Sequence, residues 1–336
     1  MKPIIFGLSG PSVTSEERDV FNRANPAGYI LFRPNIVDPA QVKALTNDLQ
    51  DLSGRHDVPI LIDQEGGSVQ RLSEPHWPSS PPASVFARAY AKAPMTAMEA
   101  VRLHGLAIGQ MLHDLGITIN CAPVLDVASA QTHPGIIDRS FGADPVQVAS
   151  LAGAMIRGMS AAGVVAVLKH MPGLGRASVD SHHHLPVVTA SVEELATDFE
   201  AFRLLADAPI GMVGHILFKA IDPDFPASCS AIIIQTIIRE QIGFDGLLLS
   251  DDLTMNALSG TLAERSVAAV EAGCDIALAC WGSLAEKAEA AAALPEMSDA
   301  NLARLNVAMA SVKPCKTVDN LAAVIAKRDA LLSYVA

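Results

Sequence analysis

The stretch Gly163-Val164-Val165-Ala166-Val167-Leu168-Lys169-His170 follows directly on residues 145–162, where apolar side chains recur every three or four positions. That spacing predicts an amphipathic helix, and Gly163 stands where the helix should stop. The apolar run after it is short and nearly continuous, which is typical of a parallel strand covered on both faces. The segment therefore predicts a helix that leads back to a buried strand ending in two polar residues.

The same succession of strand and helix repeats along the chain. Strands are predicted at residues 3–9, 28–33, 58–63, 117–126, 164–170, 210–215, 246–251 and 274–280. Helical periods fill residues 39–52, 96–115, 145–162, 191–206, 231–242 and 262–272, and Ser191-Val192-Glu193-Glu194 forms a capping box. Strand and helix alternating in this way, with mostly short connections, predict an α/β fold, a closed (β/α)8 barrel of the TIM type.

One structural alternative is a doubly wound open sheet. That fold would normally place a glycine-rich phosphate-binding turn after an early strand, and Gly7-Leu8-Ser9-Gly10 does not match such a turn. We therefore predict one barrel domain over residues 1–336, with residues 296–336 forming a C-terminal packing helix and tail.

The composition excludes several classes of protein. Half of the 336 residues are hydrophobic and 18% are charged, which is enough apolar surface for an extensive core. No stretch approaches about 18 uninterrupted apolar residues, so no membrane span is predicted. A net charge of −12 disfavours nucleic acid and anionic lipid as partners, because both need clustered cations. Nothing in the sequence demands a protein partner, and a monomer is expected.

The N-terminus and the cysteines indicate a cytoplasmic protein. The opening residues Met1-Lys2-Pro3-Ile4-Ile5-Phe6-Gly7 resemble a first strand, without the features of a signal peptide. The five cysteines are scattered and include no C-x-x-C pair, so they are interpreted as reduced thiols.

Polar residues collect where five of the predicted strands end. They are Asp63-Gln64-Glu65 with the nearby Arg71, Asp126, Lys169-His170, His215 and Asp251-Asp252. In a barrel of this type, functional groups gather at the carboxyl ends of the strands. Any one of these residues alone would suit a loop cap, but together they predict a shared site.

The loop after the fifth strand carries a D-x-H pair, Asp180-Ser181-His182. A carboxylate two residues before an imidazole can hold the ring in one tautomer and raise its basicity, which suits the histidine to donate and take back a proton. Three consecutive histidines, 182–184, also raise the alternative of a metal-dependent hydrolase. Further ligands, such as an H-x-H pair at the end of the first strand, are missing.

The seventh strand delivers two adjacent carboxylates, Asp251 and Asp252, to the same end of the barrel. Because side chains alternate along a strand, the two should point to opposite faces. One can serve as a nucleophile in the site, while the other caps the next helix or braces the loop.

Three groups of residues together resemble the family 3 glycoside hydrolases, in particular their short single-domain bacterial β-N-acetylhexosaminidases. The groups are Ile62-Asp63-Gln64-Glu65-Gly66-Gly67, then Lys169-His170-x-Pro172-Gly173-x-Gly175 with Asp180-Ser181-His182 and Leu185-Pro186, and Ser250-Asp251-Asp252-Leu253-Thr254-Met255. They occur in the family's order, from the third predicted strand to the seventh, and several motifs in order are more specific than any one.

The resemblance implies a role for each matching residue. The nucleophile falls on Asp251, the acid/base on His182 and the carboxylate that orients it on Asp180. The implied substrate contacts are Asp63, Arg71, Arg139, Lys169, His170 and, with a less defined duty, His215. No metal and no organic cofactor is implied.

The resemblance also implies an activity, that of a retaining exo-β-N-acetylglucosaminidase. Its substrates would be small carbohydrates, N-acetylglucosaminyl-1,6-anhydro-N-acetylmuramic acid fragments of cell-wall recycling, cleaved through a covalent glycosyl-enzyme. Three positions depart from the family pattern: Ser68 replaces a frequent Arg, Met171 a usual Phe and Leu174 a usual His. The non-enzymatic alternative is an inactive, sugar-binding barrel.

Overall fold

The computed structural model describes residues 1–179, 184–312 and 320–335. Its centre is a closed barrel of parallel strands in the order β1-β10-β9-β7-β5-β4-β3-β2. These strands are β1 (Lys2–Gly7), β2 (Pro26–Leu31), β3 (Ile60–Ile62), β4 (Ile119–Asn120), β5 (Val165–Met171), β7 (Ile210–Val213), β9 (Leu247–Asp252) and β10 (Ile276–Ala279). A separate parallel pair joins β6 (Val187–Val188) to β8 (Leu217–Phe218). The predicted (β/α)8 barrel is confirmed, and the open sheet is wrong.

Helices surround the barrel. They are α1 (Ser15–Ala24), α2 (Pro39–Ser53), α3 (Ala83–Lys92), α4 (Pro94–Asp114), α5 (Pro134–Ile137), α6 (Pro145–Ala161), α7 (Val192–Arg203), α8 (Leu262–Ala272), α9 (Leu284–Ala293), α10 (Asp299–Met309) and α11 (Leu321–Tyr334), with a π-helix at Ile233–Gln241. Each predicted helical segment has a counterpart, and the capping box at Ser191 is present. In the part of the chain described, no helix combines the length and apolar character needed to cross a membrane.

The near-continuous apolar runs of the strands reflect two layers of core. On β1, Ile5 belongs to the cluster inside the barrel, whereas Ile4 and Phe6 belong to the cluster between the strands and the helices. Alternate side chains of one strand therefore meet different apolar surroundings, and both sets are buried. A strand with an exposed face would have shown polar residues at every second position.

Two helices follow Pro295 in the described chain. Helix α10 and helix α11 flank residues 313–319, which lie outside the described residues, and α11 packs against α4. Arg328 of α11 is 3% exposed, and its Nη1 lies 3.4 Å from Nδ1 of His104 on α4. This part of the chain therefore adds a buried polar contact to the barrel's helical layer.

Candidate active site

A cavity of about 450 Å³ opens at the carboxyl ends of the strands. Six predicted site residues line it: Asp63, Arg71, Arg139, Lys169, His170 and Asp251. Residues far apart in sequence meet here because the parallel strands all end at the same edge of the barrel. The predicted acid/base pair, Asp180 and His182, lies outside the described residues.

The floor of the cavity is a chain of alternating charges. The ammonium of Lys169 lies 2.8 Å from Asp63 Oδ1 and 2.7 Å from Glu65 Oε1. Arg139 donates two hydrogen bonds to Glu65, at 2.9 and 2.8 Å, and Arg71 lies 3.3 Å from Asp63. Each of the two carboxylates in this row of charges stands between two cations, which is how buried charges are accommodated.

The pKa values of this cluster follow from those pairs. Burial alone would raise the pKa of the Asp63 and Glu65 carboxyls, but the cations beside them outweigh burial and hold both pKa values below the ordinary range. Burial would lower the pKa of Lys169, yet the same two carboxylates raise it above its ordinary value. The cluster is therefore ionised at neutral pH and offers fixed charges to a polar ligand.

Asp251 is the penultimate residue of β9 and lines the cavity. Burial would raise its pKa, but the imidazoles of His170 and His215 and the hydrogen bond from the Asp252 amide, 2.8 Å long, together lower it. A carboxylate that is ionised and faces the cavity is suited to nucleophilic attack.

Asp252 is bound to its own loop. It accepts hydrogen bonds from the amide of Thr254 at 3.0 Å, from the hydroxyl of Thr254 at 2.8 Å and from the amide of Cys280 at 3.1 Å. Asp252 thus braces the loop, which is one of the roles expected for the second of the two adjacent carboxylates. Asp251 and Asp252 nevertheless both line the cavity.

His170 is oriented by Asp126, a fully buried carboxylate at the end of the predicted fourth strand. Asp126 Oδ2 lies 2.7 Å from Nδ1 of His170, and Oδ1 accepts the amides of His170 at 3.2 Å and Leu174 at 2.7 Å. An imidazole held at Nδ1 by a carboxylate presents its Nε2 edge to other partners. The carboxylate therefore fixes both the ring and the start of the following loop.

The loop after β5 passes very close to the backbone that follows β4. A Cβ placed on Gly175 would lie 1.8 Å from the carbonyl oxygen of Val127, so only glycine fits.

Of the three departures from the family pattern, Leu174 and Ser68 line the cavity, whereas Met171 is fully buried with its sulfur against Gly211. The changes that can alter ligand contacts are therefore Leu174 and Ser68.

His215 is not on the cavity wall. It is fully buried, with Nδ1 2.7 Å from the hydroxyl of Ser228 and Nε2 2.9 Å from the carbonyl oxygen of Asp252. Both ring nitrogens are occupied, so the geometry does not support the direct substrate contact that the resemblance implied. His215 instead supports the end of β9 from behind.

The structure gives roles to Glu65 and Asp126, which the sequence placed among the clustered strand-end residues without assigning a role, and adds a third feature that the sequence did not indicate. Glu65 and Asp126 hold Arg139, Lys169 and His170 in place, and both carboxylates stand at strand ends, which was the available signal. The third is a ring pair at the rim, Phe32 with Trp281, whose centroids are 4.7 Å apart. The sequence around Phe32 does not indicate that its ring contacts Trp281, because the two residues come together only when β10 pairs with β1 and closes the barrel.

His104 connects the floor of the site to α11. Its Nε2 lies 3.1 Å from the carbonyl oxygen of Glu65, opposite the contact with Arg328. Burial, and then the charge of Arg328, lower the pKa of His104 from 6.5 to about 3. The neutral ring therefore donates to Glu65 and accepts from Arg328 at neutral pH.

We expect His104 to make the protein less stable in acid. A group with a lower pKa in the folded state binds fewer protons when folded, so its stabilisation is complete above 6.5 and is lost as the pH falls toward 3. The loss approaches about 1.4 kcal/mol per pH unit within that window. Urea unfolding across this range should show a shallower pH dependence for His104→Leu than for the wild type.

The exposed His76 provides the control for this measurement. His76→Leu should retain the wild-type slope of unfolding free energy against pH. Equal slopes for His104→Leu and His76→Leu would show that the buried ring does not carry the effect.

Comparison with known proteins identifies the family. The model of the glycosyl hydrolase family 3 N-terminal domain matches residues 6–314. A β-hexosaminidase of Methylococcus capsulatus is 38% identical over 281 residues, 82% of this chain and 82% of that protein. One of Thiobacillus denitrificans is 35% identical over 312 residues, 91% of this chain and 82% of that protein. The crystal structure of NagZ from Neisseria gonorrhoeae in complex with N-trifluoroacetyl-D-glucosamine has a TM-score of 0.89 and 29% identity, covering 100% of this chain and 98% of that one.

The chain therefore belongs to glycosyl hydrolase family 3. It is a glycoside hydrolase of the β-N-acetylhexosaminidase type, as the three groups of motifs predicted. The non-enzymatic alternative is thereby set aside.

Proposed function

We propose that this chain is a retaining exo-β-N-acetylglucosaminidase that releases terminal N-acetylglucosamine from N-acetylglucosaminyl-1,6-anhydro-N-acetylmuramic acid fragments of peptidoglycan. The observation that carries the proposal is an ionised carboxylate, Asp251, facing a cavity whose floor is the charged cluster around Lys169. The similarity to a structure that binds a glucosamine derivative, and to proteins named β-hexosaminidases, supports the choice of sugar.

In this mechanism Asp251 attacks the anomeric carbon and forms a covalent glycosyl-enzyme. His182, oriented by Asp180, gives its proton to the departing oxygen and then removes a proton from the water that hydrolyses the intermediate. Each step inverts the anomeric carbon, so the product keeps the original configuration. The proton lost to the leaving group is regained from water.

The described residues on either side of positions 180–183 support the assignment of Asp180 and His182 to this site. On one side the carbonyl oxygen of Gly175 accepts the hydroxyl of Thr132, and the amide of His133 donates to Ala177 at 2.8 Å. On the other side the amide of Leu217, just after β7, donates to Pro186 at 2.9 Å. Both flanks are tied to segments that follow the carboxyl ends of barrel strands.

The cluster on the floor would orient the terminal sugar. Asp63 accepts and Lys169, Arg71 and Arg139 donate, so neighbouring hydroxyls and the acetamido group can be matched by fixed partners. The ring of His170, held by Asp126, supplies a further hydrogen-bonding group. For His215 we propose a positioning role, because its ring supports the backbone of Asp252, next to the nucleophile.

We also propose that the chain acts as a single catalytic domain and as a monomer in the cytoplasm. The predicted packing helix and tail at residues 296–336 is corrected to a packing segment that contains two helices, α10 and α11. The cysteines at 121, 229, 274 and 280 are unpaired thiols, which suits a reducing compartment. Size-exclusion chromatography with light scattering tests the oligomeric state.

Two assays test the proposed function. The purified protein should hydrolyse an aryl β-N-acetylglucosaminide much faster than the matching aryl β-glucoside, and proton NMR should detect the β-anomer of the sugar first. Preference for the glucoside, or initial release of the α-anomer, would contradict the proposal. Natural disaccharide fragments, compared with chitobiose, test the peptidoglycan substrate.

Chelation tests the metal-dependent alternative built on residues 182–184. In the described chain, which includes only His184 of the three, no three His, Cys, Asp or Glu side chains stand close enough to share a metal ion. The glycosidase should keep its activity in EDTA, whereas a metal-dependent hydrolase should lose it.

Replacing Asp180 tests the acid/base pair. Asp180→Ala should slow hydrolysis of substrates with poor leaving groups by roughly 10² to 10⁴-fold, because the imidazole loses the carboxylate that orients it. Losses should be smaller for nitrophenyl substrates, whose leaving group needs no proton. A plot of log kcat/KM against leaving-group pKa measures the difference, and equal losses for all leaving groups would refute the acid role.

A further inference from the structure

Trp281 stands at the rim of the catalytic cavity, and its side chain is unusually exposed for so large an apolar group. It is 45% exposed and lines the same cavity as Asp251 and Lys169. A tryptophan exposed on a sugar-binding cavity offers a flat apolar surface with a polarisable face. Sugar rings carry an apolar face of C–H groups that can lie on such a surface.

The ring of Trp281 is braced from below. It packs at 4.7 Å and an angle of 39° on Phe32, which is only 8% exposed. The guanidinium of Arg71 lies 5.4 Å from the centroid of Phe32, and Arg71 pairs with Asp63 on the floor. A continuous series of contacts therefore runs from the charged cluster to the rim.

The backbone of Trp281 is fixed on both sides. Before it, the amide of Cys280 is bound by Asp252, the residue next to the nucleophile. After it, Gly282 has a positive φ of 92° and Ser283 begins α9 with a capping box. The ring is therefore held in place before any ligand arrives, and little conformational entropy would be lost on binding.

The two ends of this series differ in exposure. The side chain of Asp63 is 15% exposed and that of Arg71 is 27% exposed, whereas Trp281 is 45% exposed. An exo-acting enzyme binds the terminal sugar on the floor and leaves the departing group at the mouth. The other lining residues with apolar side chains, among them Leu174, Ile136 and Met255, extend this apolar character around the cavity.

From these observations we propose that Trp281, supported by Phe32, is the stacking platform of the leaving-group subsite and selects substrates whose leaving group is a second sugar ring. This inference rests on the proposed function, since it assigns the terminal N-acetylglucosamine to the floor. Trp281 is a specificity-determining residue that contacts the leaving group and takes no part in proton transfer.

Kinetics of Trp281→Ala and Trp281→Phe test the platform. For di-N-acetylchitobiose, Trp281→Ala should lower kcat/KM by about 3- to 10-fold, mainly through KM, because one ring-stacking contact is lost. Trp281→Phe should recover most of the loss. Inhibition by free N-acetylglucosamine, which occupies only the floor, should stay within about twofold of wild type. Tyr334→Ala, an exposed aromatic on α11, is the matched control and should change neither value.

Tryptophan fluorescence can detect the contact between Trp281 and a sugar ring in the absence of turnover. The chain has two tryptophans, and Trp77 is 7% exposed, so a ligand that covers Trp281 should shift the emission to shorter wavelength. In Asp251→Asn we expect chitobiose to cause this shift and N-acetylglucosamine to cause almost none. Trp77→Phe should keep the shift.

The possible results separate the two proposals. If the wild type hydrolyses no N-acetylglucosaminide, the proposed function fails, and the fluorescence titration with disaccharides still decides whether Trp281 binds a ring. Equal losses of chitobiose turnover and N-acetylglucosamine affinity in Trp281→Ala, or no emission shift with any disaccharide, would overturn the platform.

Discussion

Asp251→Ala should reduce turnover of an aryl N-acetylglucosaminide by roughly 10⁴-fold or more, the scale of loss when the nucleophile of a covalent mechanism is removed. The carboxylate lines the cavity, and its pKa is held below the ordinary value despite burial, so it is ready to attack at neutral pH. Without it no glycosyl-enzyme can form. Steady-state assays with a nitrophenyl substrate measure the loss, and circular dichroism checks the fold.

Adding azide to Asp251→Ala provides a test based on recovered activity. The shortened side chain leaves room for a small anion on the face that Asp251 occupied, so azide should restore turnover and yield the α-glycosyl azide. Asp252→Asn is the neighbouring control, since Asp252 braces its loop and should affect stability more than chemistry. Turnover of Asp251→Ala within tenfold of the wild type would refute its assignment as nucleophile.

Lys169→Met should weaken both folding and catalysis. The ammonium is 3% exposed and stands between Asp63 and Glu65, so its removal leaves two buried carboxylates with one cation each. We expect the free energy of unfolding to fall by about 3 kcal/mol, the lower end for breaking a buried pair, because Arg71 and Arg139 remain. Loss of sugar orientation should reduce kcat/KM by at least about 10²-fold.

A second substitution separates these two effects. Adding Asp63→Asn to Lys169→Met removes the carboxylate that would keep only Arg71 as a partner. The Arg71 side chain is 27% exposed and can turn to solvent, so part of the stability should return, as urea unfolding would show, while activity stays low. Lys92→Met, at an exposed lysine on α3, should change neither quantity. A Lys169→Met protein as stable as the wild type would mean that the cluster does not need its central cation.

The barrel could be predicted because its signals are local. Each strand is a short apolar run closed by a polar residue, and Gly163, Gly243 and Gly273 have the positive φ expected where helices stop. Helices α1, α3, α5 and α9 were missed, and none is longer than ten residues. In α9 a run of alanines gives little contrast between faces, so the apolar period is hard to detect.

The sequence indicated which strand ends contribute residues to the site, but not which side chains contact one another there. The positions of Asp63, Lys169 and Asp251 followed from the fold, since all three end parallel strands. Their partners did not, because Glu65 meets Arg139 across 74 residues of sequence. His215 Nδ1 contacts the hydroxyl of Ser228, and no sequence pattern links these two residues.

The contact between Arg328 and His104 joins residues that are 224 positions apart. During synthesis the segment that forms the floor of the cavity leaves the ribosome long before α11 exists. Until then, the ring that donates to the Glu65 carbonyl lacks its second partner, and the surface of α4 that receives α11 is uncovered. The growing chain can therefore form much of its barrel before α11 is synthesised and Arg328 completes the contacts of His104 beneath the charged cluster.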